Sequence, residues 1–188
     1  MIPEKATLVL VHGASRYSRK NLLAKWVPVL KASLGSTWRV MLPDMPNPES
    51  PSADAWLRAL AHAVDDIDSK VCLVGHSLGG SVALQHVARK LPKQRHVFIA
   101  AAPFWCGADS DWQHPPFKLT SRDIESLQSY ALTFYHGTLD DIVPFSHLAE
   151  YQQLFPHAQT RTYKGMNHTD PFKSFLQDLA ADVAACRD

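Results

Sequence analysis

Cysteine is scarce and scattered. The 188-residue chain has three, at Cys72, Cys106 and Cys186, with no C-x-x-C pair among them. That spacing argues against a disulfide framework and a cysteine-based zinc site, and predicts three free thiols in a reducing compartment. An excess of charge of one sign is missing too: 19 Lys and Arg stand against 18 Asp and Glu, for a formal net charge of +1. A nucleic-acid or anionic-membrane footprint needs a basic patch, and here the two signs are mixed along the chain. No segment approaches the roughly 18 consecutive apolar residues of a membrane helix. The opening run, MIPEKATLVLVHG, is too short in apolar residues for a secretory leader. These absences predict a cytoplasmic protein with no nucleic-acid partner and no integral membrane association.

Apolar residues make up 46% and charged residues 20%, an ordinary globular balance. The length suits one domain over residues 1–188, able to bury about 70% of the surface its unfolded chain exposes. Short β-branched runs at residues 7–11, 39–42, 70–74, 96–101, 132–135 and 160–163 alternate with helix-period segments. Most of these runs are continuously hydrophobic, as parallel strands covered on both faces must be. Leu57, Leu60, Ala61, Val64 and Ile67 keep helical spacing, with Ser50 as the expected N-cap and Pro51 at the first helical position. Phe172, Phe175, Leu176, Leu179 and Val183 do the same near the end of the chain. Pro28 inside residues 22–34 predicts a kink or a late helix start. The fold class is therefore α/β, a doubly wound and mainly parallel sheet with helices on both faces. Two stretches interrupt the alternation: a proline-rich segment at 43–51, and a connection at 103–123 long enough to suggest a functional loop.

Glycine is also sparse, eight in all, yet Gly75, Gly79 and Gly80 fall within six consecutive positions. In VCLVGHSLGGSVALQ an apolar run stops at Gly75, Ser77 follows, and a helix opens. Gly75-His76-Ser77-Leu78-Gly79 fits G-x-S-x-G, the nucleophile elbow, in which a strained turn lifts a serine Oγ clear of the sheet. Larger residues would collide across such a turn. The alternative is an ordinary strand-to-helix turn with a capping serine. A dinucleotide-binding loop does not fit, because Ser77 stands where the second glycine is needed, and no G-K-[ST] ending marks a phosphate loop.

A serine hydroxyl needs a base and an orienting carboxylate. FYHGTLDDIVP offers Asp140 just beyond a strand, with Asp141 beside it and Asp109 and Asp111 in the long connection as alternatives. YKGMNHTDP offers His168 between the last strand and the last helix; His76, His136 and His147 compete with it. The order Ser, Asp, His is that of α/β-hydrolases. Backbone amides at Leu78 and Ala14 are the expected oxyanion donors, the second from the loop VLVHGAS. His12, Phe104, Trp105, Trp112 and Phe117 are the expected lining of an apolar substrate pocket, unless the aromatics merely pack their loop onto the body. Arg16 and Arg19 flank the oxyanion loop, either as solvated surface charges or as a site for an anionic group.

With these residues in place, the chain resembles the α/β-hydrolase superfamily in its small lidless form, and in particular the serine hydrolases related to retinoblastoma-binding protein 9. KWVPVL, PDMPNPESPSADAW and GHSLGG are similar to that family's first helix, Met-Pro-Asn-Pro segment and elbow. GTLDDIVP resembles the superfamily's acid loop and selects Asp140 over Asp141. The base departs from the family's Gly-His, reading Gly165-Met166-Asn167-His168. The resemblance implies a six-stranded sheet in the order 2-1-3-4-5-6 and a carboxylesterase-like hydrolase acting on a small acyl ester, with no metal or organic cofactor. A thioesterase, amidase or acyltransferase with the same three residues, or a protein-binding scaffold, would share this sequence pattern.

Overall fold

The computed structural model of the chain describes residues 6–90, 96–107 and 112–186. In chain order its elements are β1 Ala6–Val11, α1 Ser18–Lys25, α2 Val27–Leu34, β2 Trp38–Met41, α3 Ala53–Asp65, β3 Val71–His76, α4 Leu78–Lys90, β4 His96–Ala100, α5 Ser121–Leu127, β5 Ala131–Gly137, α6 Ser146–Leu154, β6 Gln159–Tyr163 and α7 Lys173–Ala185. The strands form one sheet in the order β2-β1-β3-β4-β5-β6, and every neighbouring pair is parallel.

The hydrophobic runs follow from this layering, because alternate residues of a strand feed opposite faces. Leu8, Leu10, Cys72, Val74, Phe98 and Tyr135 pack against α1, α2 and α7. Val9, Val11, Leu73, Val97, Ile99 and Phe134 pack against α3, α4, α5 and α6. The outer strand β6 buries only Tyr163, which is why its sequence, QTRTY, is the most polar of the six. All three cysteines are free thiols, and burial pushes Cys72 up to about 12. Among the described residues no helix is long and apolar enough to cross a membrane.

Pro28 produces the late start. It lies in the first turn of α2, where its missing N–H deprives the helix of nothing. The chain bends at the buried Trp26, whose N–H bonds to Leu22 O at 2.9 Å and whose carbonyl accepts from Leu30 at 2.9 Å.

Two expectations are corrected. Helix α3 begins at Ala53, with Ser52 rather than Ser50 at the N-cap position and no side-chain cap bond. Ser50 is used earlier, in a turn that bonds its N–H to Asn47 O at 3.0 Å, with Asn47 at φ 47°. The long connection is also shorter than it reads. Thr120 and Asp123 form a reciprocal capping box that opens α5, and a 3-10 turn at Pro115–Phe117 precedes it.

Candidate active site

Ser77 sits between the end of β3 and the start of α4 with φ 56°. That left-handed conformation is unfavourable for a residue with a Cβ, by about 1–3 kcal/mol, and persists only where its surroundings enforce it. Ser77 N–H bonds to Ala100 O at 2.9 Å, and Ser77 O accepts from Gly80 N–H at 2.8 Å. The glycines are required by close approach. A Cβ on Gly75 would lie 2.5 Å from Gly79 O and from Gly80 Cα, and one on Gly79 would collide with the carbonyl oxygens of Val11 and His12. Helix α4 thus starts directly against the ends of β1 and β3.

Asp140 lies on the loop after β5, with its side chain 1% exposed. Its Oδ1 accepts from the N–H groups of Ile142 (3.0 Å) and Val143 (2.8 Å), in a local turn of the kind Asp favours. Its Oδ2 accepts from His168 Nδ1 at 2.8 Å and faces His136 Nε2 at 3.3 Å. Burial by itself would raise this carboxyl's pKa. The hydrogen bonds from His136 and His168 outweigh burial and, with the Val143 N–H, hold it well below the usual carboxylate range. Asp141 is exposed, while Asp109 and Asp111 lie outside the described residues.

A carboxylate only accepts, so His168 carries its proton on Nδ1 in this pair, and Nε2 keeps its lone pair. The imidazole is buried. The other histidines are committed elsewhere. His136 also donates to Val143 O at 3.0 Å, and His147 Nδ1 accepts from Phe104 N–H at 3.0 Å. His76 donates from Nε2 to the backbone carbonyl of His168 at 3.2 Å. Burial, then the neighbouring His168, lowers the His76 pKa to about 3. The structure therefore joins Asp140 to His168 directly, whereas the Ser77 Oγ makes no hydrogen bond among the described residues.

The loop after β1 lies beside the elbow because β1 pairs with β3, Val11 opposite Gly75. A Cβ on Gly13 would come 2.8 Å from Ser77 Cβ and 3.1 Å from Ser77 Oγ. The loop is fixed by Gly13 N–H to Ser18 Oγ at 2.8 Å and by Ser15 N–H to Pro48 O at 2.8 Å, with Ser15 at φ 81°. The N–H groups of Ala14 and Leu78 donate to no protein group among the described residues. The proline-rich segment at 43–51 folds over this loop: Trp56 Nε1 bonds to Pro46 O at 2.7 Å, and Arg16 pairs with Glu49 at 3.2 Å. Arg19 faces Asp44 at 3.7 Å.

The expected pocket lining divides. His12 is fully buried, with Nδ1 bonded to Gly13 O at 2.8 Å and Nε2 accepting from Met45 N–H at 3.1 Å. Burial lowers its pKa. Both ring nitrogens are thus committed to backbone, and His12 secures the segment at 43–51. Phe104 and Phe117 are core residues, 7% and 1% exposed, because the connection folds back onto α4 and α6. Trp105 and Trp112 are half-buried, with ring centroids 5.5 Å apart. Trp105 donates to Ser81 Oγ at 2.9 Å, and Gln85 Nε2 donates to Pro116 O and Lys118 O, each at 3.0 Å. Reading the sequence missed the contacts of His76 and His136; only position, one residue from Ser77 and four from Asp140, hinted at them. Among the described residues no cluster of His, Cys, Asp and Glu is arranged to hold a metal ion.

A parallel sheet in this order, with a serine on a strained turn after β3, is the architecture of the α/β hydrolases. The model of the alpha/beta hydrolase family matches residues 8–185, and the chain belongs to that family. No curated protein matches the sequence. Among solved structures, the ydeN gene product of B. subtilis superposes with a TM-score of 0.72 at 19% identity, over 96% of this chain and 99% of that one. Est1E from Butyrivibrio proteoclasticus gives 0.70 at 12% identity, over 97% and 87%. The esterase domain of a Rhodothermus marinus protein gives 0.69 at 19%, over 98% and 88%. At these identities the likeness is one of fold.

Proposed function

We propose that the chain is a serine hydrolase that cleaves small carboxylic esters through an acyl-enzyme. The observation that carries this reading is the 2.8 Å hydrogen bond from His168 Nδ1 to Asp140 Oδ2, made at the carboxyl edge of a sheet that also carries Ser77 on its strained turn. Family membership supports hydrolysis, and a structural neighbour named as an esterase domain favours the ester as substrate.

In this reading Asp140 holds the His168 tautomer and stabilises the imidazolium that forms. His168 Nε2 takes the Ser77 proton as Oγ attacks the ester carbonyl. The amides of Leu78 and Ala14 receive the developing oxyanion, an interaction worth about 3 kcal/mol per donor. The imidazolium then returns its proton to the leaving alcohol. Water, activated by the same nitrogen, releases the acid and restores Ser77. A hydrogen bond between nucleophile and base commonly tightens only when substrate is in place, so its absence here is compatible with the roles assigned. No step calls for a metal or an organic cofactor. With Phe104 and Phe117 in the core, Trp105 and Trp112 are the two of these four aromatics left to wall the acyl or alcohol group, which favours a small substrate.

The test is a chain-length series of nitrophenyl esters, run beside acyl-CoA and amide substrates, with Ser77→Ala as the control. Short esters are expected to be the best substrates, and Ser77→Ala to lower kcat by about 10⁴–10⁶. Undiminished ester turnover by that variant defeats the reading; preference for acyl-CoA or amide over every ester changes the substrate class.

A further inference from the structure

His76 has no part in the proton transfers above, yet it is buried against the base. Its Nε2–H donates to His168 O at 3.2 Å, and the two rings lie 4.7 Å apart at 39°. Among the described residues this is the one hydrogen bond that links the elbow, β3 and α4 to the loop carrying His168. The loop's other ties run to different places. Met166 O accepts from Leu139 N–H at 3.1 Å, and Gly165 N–H donates to Thr138 Oγ1 at 3.0 Å, both on the acid loop. Thr169 O accepts from Asn21 and Lys25 on α1. The His76 ring is itself held edge-on by Trp26 at 4.9 Å, and Trp26 packs on Phe175 of α7 at 5.1 Å.

We propose that His76 is a positioning residue: it ties the backbone of the base to the strand that ends in the nucleophile, and so sets the gap across which the Ser77 proton passes. The proposal rests on the serine-hydrolase reading above. One side chain would then couple two segments, 92 residues apart in the chain, whose relative placement must be held to a fraction of an ångström. A misplacement of about 1 Å between reacting groups lowers rates by about 100-fold. The titratable groups around the ring are His168, Asp140 and His136, with Tyr135 lining the same small cavity. Lys25 and Asp170 pair with each other at the outer end of the loop. Burial keeps His76 neutral, so its donor persists at neutral pH, and no second cation opposes the imidazolium formed at His168.

Two substitutions separate holding from packing. His76→Phe keeps a ring against Trp26 and removes the donor, while His76→Gln brings an amide N–H near the position of Nε2. Each is measured by steady-state hydrolysis of nitrophenyl acetate and by the downfield proton resonance of the His168–Asp140 hydrogen bond. His76→Phe is expected to lower kcat by about 10- to 100-fold with KM within about twofold, and to shift or broaden the resonance. His76→Gln is expected to recover most of both. Wild-type kcat and resonance in His76→Phe, or a glutamine variant as impaired as the phenylalanine one, overturns the proposal. Should His76→Phe fail to fold, His76→Gln against His76→Met makes the same comparison at equal side-chain length. Wild-type protein inert toward every ester would refute the ester-hydrolase reading, while the resonance would still decide whether His76 holds His168.

Discussion

The two sides of the candidate site are built by opposite means. On the elbow side, around Ser77, the structure depends on atoms that are not there: Gly13, Gly75 and Gly79 leave room for a helix start, two strand ends and a loop to touch. On the acid–base side, Asp140 is surrounded by donors, with Ile142, Val143, His136 and His168 all directed at its two oxygens. The first arrangement is broken by adding a carbon, the second by removing a proton donor or acceptor. Steric contacts fail abruptly, whereas a hydrogen-bonded network loses its members one at a time.

The sharpest way to break the acid–base side is Asp140→Asn. The amide retains the shape but favours the wrong His168 tautomer, and kcat is expected to fall by about 10⁴ with the fold intact, as read by ester turnover and circular dichroism. A fall of tenfold or less would mean that Asp140 does not orient the base. On the elbow side, Gly79→Ala forces a methyl group onto the carbonyl oxygens of Val11 and His12. It is expected to destabilise the protein by about 3 kcal/mol or more in urea unfolding, because backbone cannot yield as a flexible side chain does.

Acid distinguishes the sides by proton uptake. The unfolded chain protonates His76 near its ordinary value of about 6.5, but the folded protein holds it neutral until about 3. Between those values the unfolded state binds the extra proton. The stability due to this group is therefore complete above about pH 6.5 and declines as pH falls, by up to about 1.4 kcal/mol per pH unit. His12 and His86, lowered chiefly by burial, act in the same direction. Asp140 adds its own loss below about pH 4, where its unfolded carboxyl takes a proton that the folded one refuses. Urea unfolding at pH 7, 5.5 and 4.5 measures this slope, and His76→Gln should flatten it. The smallest effect is Thr138→Val, which removes only the bond to Gly165 N–H. Because Gly165 is exposed and water can replace the hydroxyl, about 0.5 kcal/mol is expected in the same assay.

Much of this architecture can be read in the sequence, for physical reasons that also mark the limit. Continuous apolar runs are diagnostic because every inner strand feeds two cores, so the strands could be anticipated from the runs, whereas their order was implied only by the resemblance to the α/β hydrolases. Glycine crowding around Ser77 is visible because close approach admits no other residue. The proximity of Asp140 to His168 follows from chain order in a sheet whose loops gather at one edge. Contacts made through space leave no local trace. That His76 reaches the His168 carbonyl, or that His12 turns inward to Met45 N–H, depends on the packing of distant segments. The aromatics after β4 show the same limit: Phe104, Trp105, Trp112 and Phe117 look equivalent in sequence, yet two are core and two half-buried. Helix α5 could have been read from the Thr120-x-x-Asp123 capping box, a signal with a physical mechanism; the start of α3 could not, because Ser50 and Ser52 are equally good caps by composition.

The most direct measurement is to treat the protein with a fluorophosphonate and locate the adduct by mass spectrometry of the digested chain. The account predicts a single stoichiometric adduct on Ser77, abolished in Ser77→Ala and strongly slowed in His168→Ala. No adduct, or one on another serine with Ser77 unmodified, would contradict it.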